Sequence, residues 1–245
     1  MTFDGFREIE IGDRDLFLKV FEEDPPQTSE LPFTNLFVWR HKYRPVWRLE
    51  GDCLLMILRP VGEAPFGLPP VGRGDKRMAL DLLVRHLEPQ TPEPRICRVG
   101  EELVEKEVDA EKFEILKDRD NADYVYLSRD LVKLSGRKYH RKKNHLNRFV
   151  KTYAAEYRPL DAAIVRGFLE MQESWCQMRE CVESPDLLSE DYAVREALTH
   201  YEVLDFQGGA ILIDSKVEAF ARNIRKRQSF ISRRPIRIFR ASIHS

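Results

Sequence analysis

Residues 118–153 read DRDNADYVYLSRDLVKLSGRKYHRKKNHLNRFVKTY. Within this stretch, Leu134 to Phe149 concentrates positive charge at helical spacing. At about 100° per residue, Tyr139, Leu146, Phe149, Val150 and Tyr153 fall on roughly one third of a helical wheel and predict a buried stripe. Arg137, Arg141, Asn144, Arg148 and Lys151 gather on the opposite side, with Lys138 and Lys142 on a flank. A helix over 137–152 is therefore expected. Its solvent side has almost no acid to pair with its cations. Like charges four residues apart destabilise a helix by a few tenths of a kcal/mol per pair, about 0.2–0.5, so something is expected to neutralise them. A phosphate-bearing ligand fits, because guanidinium forks match phosphate oxygens. An acidic patch on the protein itself would also serve, and the plainer reading is a solvated charged face.

Working outward, the rest of the chain reads as alternating strands and helices, a mixed α/β protein. Before the basic helix lie a strand at 6–11, a helix from the Asp13 cap to about Glu22, and a helix at 29–39. A hairpin follows, with strands at 45–49 and 53–58 turning at Glu50-Gly51-Asp52. The Pro- and Gly-rich stretch 59–74 reads as loop. Asp75 caps a helix to Leu87 with Met78, Leu82, Leu83 and Leu87 inward. Short strands at 96–99 and 113–116 flank a helix at 101–107. After the basic helix come a strand at 153–157, a helix from Asp161 to Met178, and a helix from Ser189 to Tyr201. Strands at 203–206, 210–213 and 217–221 close the pattern, with Gly208-Gly209 as a turn. A strand at 124–127 precedes the basic helix, and a domain boundary is placed in the charged loop at 117–121.

Composition narrows the class. The 245 residues are 42% hydrophobic and 33% charged, enough for a sizeable core. Apolar runs such as Leu54 to Leu58 are strand-sized, far below the roughly 20 residues that span a bilayer. The N-terminus has no apolar run of a signal peptide, so the expected location is the cytoplasm. Cys53, Cys97, Cys176 and Cys181 match no zinc spacing and are read as reduced thiols. His140 and His145 are five apart rather than four, so no metal is expected there. Phe168, Met171 and Trp175 are read as core. Glu180 and Glu183 are read as surface charge, with an acid–base role the alternative. Neither GxGxxG nor GxxxxGK[ST] occurs.

The run at 118–153 resembles the C-terminal, cytosolic domain of phosphatidylglycerol lysyltransferase and the stand-alone proteins related to it. LPFTNLFVWRHKY at 31–43, LPPVG at 68–72 and GGAILIDSKVEAFA at 208–221 extend the likeness. The resemblance implies tandem GNAT-like acyltransferase domains, at 1–118 and 119–221, the second incomplete. It implies transfer of an aminoacyl group from charged tRNA to a lipid headgroup or another amine or hydroxyl acceptor, with aminoacyl-tRNA or acyl-CoA as co-substrate and no metal. Arg137, Lys138, Arg141, Lys142, Asn144 and Arg148 are the expected contacts to tRNA phosphate or an anionic headgroup, and peripheral membrane contact follows as an expectation. No catalytic residue is assigned. A non-catalytic RNA- or anionic-lipid-binding module, or an inactive truncated product, is the alternative.

The likeness stops at Ala221. Residues 222–245 carry eight basic residues and no acid, which leaves 32 of the 40 basic residues against all 41 acidic ones in the first 221 positions. This tail reads without regular periodicity, as a shifted reading frame or truncation would leave it, and is expected to be flexible. A genuine basic tail that binds RNA or membrane is the alternative.

Overall fold

The structure is a computed structural model and describes residues 3–26, 28–121, 126–204, 206–224 and 236–240. The chain divides into two compact units, Met1–Tyr124 with Phe230–Ser245, and Val125–Ser229.

In the first unit, β1 (Arg7–Glu8) leads through a short 3-10 turn at Ile11–Asp13 into α1 (Arg14–Glu23), followed by α2 (Phe33–Val38) and α3 (Arg40–Tyr43). The hairpin β2 (Val46–Glu50) and β3 (Cys53–Leu58) forms as expected, with Gly51 at φ 55° in its turn. The stretch read as loop contributes two short strands, β4 (Phe66–Gly67) and β5 (Val71–Gly72). Then come α4 (Lys76–Leu87), β6 (Arg95–Val99), α5 (Glu101–Glu107) and β7 (Phe113–Lys117).

Strand β3 is buried along its whole length, which explains a continuous apolar run rather than an alternating one. Cys53, Leu55 and Ile57 join Leu80, Leu83, Leu87 and Ile96 in one core cluster beneath α4. On the other face Trp47, the β2 partner of Met56, meets Phe17 of α1 edge-on, and Phe17 meets Phe33 of α2. Asp75 caps α4 by accepting from the Met78 backbone N–H at 2.9 Å. The helix is rotated from the expected stripe: Ala79, Leu80, Leu83, Val84 and Leu87 are buried, while Met78 is half exposed.

The second unit begins with α6 (Ser128–Lys133) and a 3-10 turn at Arg137–Tyr139, which runs directly into α7 (His140–Thr152). Next are β8 (Ala155–Pro159), α8 (Ala162–Met178) and α9 (Pro185–Thr199), then β9 (Phe206–Ile213) and β10 (Lys216–Ile224). The strands form an antiparallel sheet in the order β10-β9-β8. Helix α8 lies on it through Ile164, against Ala210 and Leu212. Gly167 lets it approach, since a Cβ there would stand 3.1 Å from Val217. Val165 and Phe168 pack on Leu198 of α9. Asp214 and Ser215 both take positive φ, 49° and 64°, in the two-residue turn between β9 and β10.

Several expectations are corrected. Gly208-Gly209 is not a turn: β9 runs through both, and Gly209 lies so close to β8 that a Cβ would meet the Arg158 carbonyl oxygen at 2.5 Å. Helix α9 starts at Pro185, capped by Ser184 rather than Ser189. Residues 126–127 are not strand, and 124–125 lie outside the described residues. Cys176 is disulfide-bonded, not a reduced thiol.

The tail is corrected most. Residues 222–224 continue β10, and β11 (Ile236–Arg240) inserts into the first unit's sheet between β6 and β7. That sheet runs β1-β2-β3-β4-β6-β11-β7, with β5 also paired to β3. Residues 225–235 and 241–245 lie outside the described residues.

Candidate functional site

The basic helix is built as a rod anchored at one end. Leu134 and Gly136 take positive φ, 45° and 91°, which turns the chain sharply between α6 and the 3-10 entry. Tyr139 is the anchor, 4% exposed. Beyond it the predicted buried stripe is not buried. Leu146 and Tyr153 are half exposed, Val150 is more exposed still, and Phe149 is only partly covered, its ring 5.2 Å from that of Tyr153.

The six expected contact residues separate into two groups. Arg137, Arg141, Asn144 and Arg148 follow one another at intervals of four, three and four, so they form a row along one side. All four are exposed, and among the described residues none of the three arginines has a salt bridge. Arg137 and Arg141 line an open concavity with Ser135, Gly136, His140 and Lys143. His140 and Lys143 were not among the expected contacts. The signal that could have found them is the 3-10 entry, which swings their side of the helix toward the Ser135-Gly136 turn. Asn144 Nδ2 stands 3.5 Å from His140 Nδ1, an interaction across one helical turn.

Lys138 and Lys142 leave the row. Lys138 donates to Asp130 of α6 at 3.3 Å and stands 4.9 Å from the Tyr139 ring centroid. Its ammonium is pushed above the usual lysine range, first by the hydrogen bond to Asp130 and then by Tyr139. For this flank cation an acid of the protein itself, one of the two partners the sequence left open, supplies the counter-charge. The Lys142 ammonium lies 5.5 Å over the ring of Tyr126, a contact that leaves its charge unneutralised.

Glu180 and Glu183, the alternative acid–base candidates, are exposed at the end of α8, where Glu180 takes φ 50°. Phe168 is fully buried, as a core residue should be. No residue lining the concavity is a carboxylate. The arrangement can hold an anion through guanidinium forks and an ammonium.

Among the described residues no helix is long and apolar enough to cross a membrane. No curated protein matches the chain. A solved conserved protein of unknown function from Bacteroides thetaiotaomicron is similar in structure, with a TM-score of 0.78 and 29% identity over 89% of this chain and 74% of that one. The C-terminal domain of a candidate lysylphosphatidylglycerol synthetase from Agrobacterium fabrum shares the fold, with a TM-score of 0.51 and 11% identity over 86% of this chain and 62% of that one. The family model described as phosphatidylglycerol lysyltransferase, C-terminal, matches residues 22–227. By that match the chain belongs to the family of the phosphatidylglycerol lysyltransferase C-terminal domain.

Proposed function

We propose that this protein is an aminoacyl or acyl transferase that takes its group from a charged tRNA and delivers it to an amine or hydroxyl acceptor, an anionic lipid headgroup among them. The single observation that carries this reading is the row Arg137, Arg141 and Arg148 on an exposed helix, without a salt bridge among the described residues, in a chain of this family. An RNA backbone presents phosphates that such a row can neutralise, with release of condensed counterions. Two units of mixed helix and sheet support a tandem GNAT-like arrangement, and the three-stranded sheet of the second unit supports its being the less complete of the two.

In the proposed reaction the acceptor attacks the ester carbonyl of the charged tRNA. The carbonyl oxygen passes through an oxyanion, and the terminal ribose hydroxyl leaves with the acceptor's proton. The protein's share is to position ester and acceptor and to stabilise the oxyanion. The arginine row would hold the RNA; Lys138, already paired with Asp130, would contribute least.

A second reading is favoured by one feature: the concavity beside Arg137 and Arg141 holds no carboxylate. That suits a module that binds RNA or anionic lipid without turnover. Labelled amino acid on charged tRNA, incubated with the protein and candidate lipid or amine acceptors, separates the two. Label appearing on an acceptor, and lost in Arg137→Ala/Arg141→Ala, supports the transferase. RNA retained by the protein with no label moved supports the binding module.

A further inference from the structure

The concavity at the start of α7 concentrates charge in a way the rest of the row does not. Arg137, Arg141 and Lys143 bring three cations to its lining, and His140 adds an imidazole. All four side chains are exposed. Farther along, the same side of the helix is sparse. Asn144 is neutral, and Arg148 stands seven residues beyond Arg141, about 10.5 Å at 1.5 Å per residue.

The protein supplies no counter-charge there. The sequence has no acid from 131 to 155. Asp130, the acid just before that run, is paired with Lys138. Among the described residues, Arg137, Arg141, His140 and Lys143 have no ion pair, and the His140 ring has Asn144 beside it at 3.5 Å. Arg137 and Arg141 are four apart, a like-charge pair that destabilises a bare helix.

These facts select an anion by its charge. Each phosphodiester of an RNA backbone carries one negative charge. A phosphate monoester carries about −1.5 to −2 at pH 7, with three free oxygens to accept hydrogen bonds. Three cations around one open hollow exceed what a single diester neutralises, and they suit a monoester better. Two guanidinium forks and an ammonium can donate to all three oxygens, and His140 offers an N–H in either protonation state. In a charged tRNA the 3′ end is occupied by the aminoacyl ester, so the terminal monoester is the 5′ phosphate.

We propose that this concavity receives the 5′-terminal phosphate of the tRNA, while Arg148 follows the phosphodiester backbone onward. The proposal rests on reading the arginine row as an RNA surface. It adds His140 and Lys143, which lie off the row, as contacts to one defined group. It also gives the RNA a polarity on α7, with its 5′ end beside Gly136 and its backbone running toward Thr152.

The probe is an acceptor-stem hairpin carrying a 5′-monophosphate, a 5′-methyl phosphate diester or a 5′-hydroxyl, titrated against the full chain by fluorescence anisotropy at fixed salt. The parent is expected to bind the monophosphate form about tenfold more tightly than the hydroxyl form, equivalent to about 1.4 kcal/mol, with the methyl diester between them. Lys143→Ala alters only an exposed side chain and should reduce that ratio to about threefold. Arg148→Ala should weaken all three forms alike and keep the ratio. Equal binding of the three forms by the parent would overturn the proposal and leave the RNA reading standing, whereas binding of none of them would remove both. A ratio unchanged in Lys143→Ala would also overturn it, because the terminal phosphate would then lie elsewhere. Vesicles containing phosphatidate, a lipid whose headgroup is a phosphate monoester, form the last arm. If they bind the parent more tightly than the monophosphate hairpin does, and lose that advantage in Lys143→Ala, the concavity takes its monoester from a lipid and the assignment to RNA is overturned.

Discussion

The indole N–H of Trp47 donates to the carboxylate of Asp13 at 3.0 Å, a buried hydrogen bond across 34 residues of sequence. The same carboxylate accepts from the Glu10 backbone N–H at 2.9 Å and from the Arg7 guanidinium. Asp13 was expected to cap α1, and it does stand at that position, but its side chain makes no cap bond. It ties the N-terminal segment to the β2–β3 hairpin instead. Trp47→Phe keeps the ring contact with Phe17 and removes only the donor. The expected loss is about 1–3 kcal/mol of stability, read from a chemical denaturation midpoint. An unchanged midpoint would mean that the bond contributes nothing.

Among the described residues, strand β11 alone links β6 to β7, and β7 pairs with nothing else. A chain ended before Ile236 should free β7 from the sheet. Backbone amides of Ile115 and Leu116 should then exchange with solvent faster, while those of Leu55 and Ile57 keep their protection. Unchanged exchange at β7 would contradict the pairing.

The tail also marks where sequence reading ran out. Ile236, Ile238 and Phe239 do carry a strand's apolar character, but the surrounding arginines and the abrupt change of charge at Arg222 masked it. A strand that pairs with β6 and β7 from more than a hundred residues away leaves no local signal. Elements with chemical punctuation were legible. Asp75 and Asp161 cap α4 and α8, and Gly51 turns the hairpin. Pro185 after Ser184 is an equally good helix start, with the Ser184 hydroxyl accepting from the Leu187 backbone N–H. Gly208-Gly209 misled for a physical reason. Glycine signals a turn by its freedom at positive φ, but in β9 it serves by having no side chain.

Gly209→Ala tests that explanation. The added methyl would meet the Arg158 carbonyl oxygen at 2.5 Å, and that oxygen is backbone in a paired strand, which cannot swing away cheaply; the exposed Tyr157 ring, equally near, can turn aside. Overpacking of this kind costs about 1–3 kcal/mol, so the second unit should melt earlier. Gly12→Ala, where nothing lies within 4 Å, is the control and should leave the melt unchanged to within about 0.5 kcal/mol.

His86 gives the first unit a pH dependence. Its imidazole is held below its ordinary value of 6.5, first by burial and then by the charge of Arg48, with Phe6 packed edge-on at 5.0 Å. In this range the unfolded chain binds a proton that the folded chain refuses. Stability should therefore fall as pH drops through 6.5 toward the folded value. His86→Gln should flatten that part of the profile, measured by denaturation at a series of pH values between about 5 and 8. A profile as steep in the variant as in the parent would remove His86 from the account.

The central claim is that Arg137, Arg141 and Arg148 are neutralised by phosphate while Lys138 is neutralised by the protein's own Asp130. The most direct measurement is the slope of log affinity against log salt for a tRNA acceptor-stem hairpin. The account predicts that replacing the three arginines by alanine lowers the slope by about three, roughly one per lost phosphate contact, while Lys138→Ala changes it least. A triple variant with the parent's slope, or a Lys138→Ala effect larger than that of any single arginine, would contradict it.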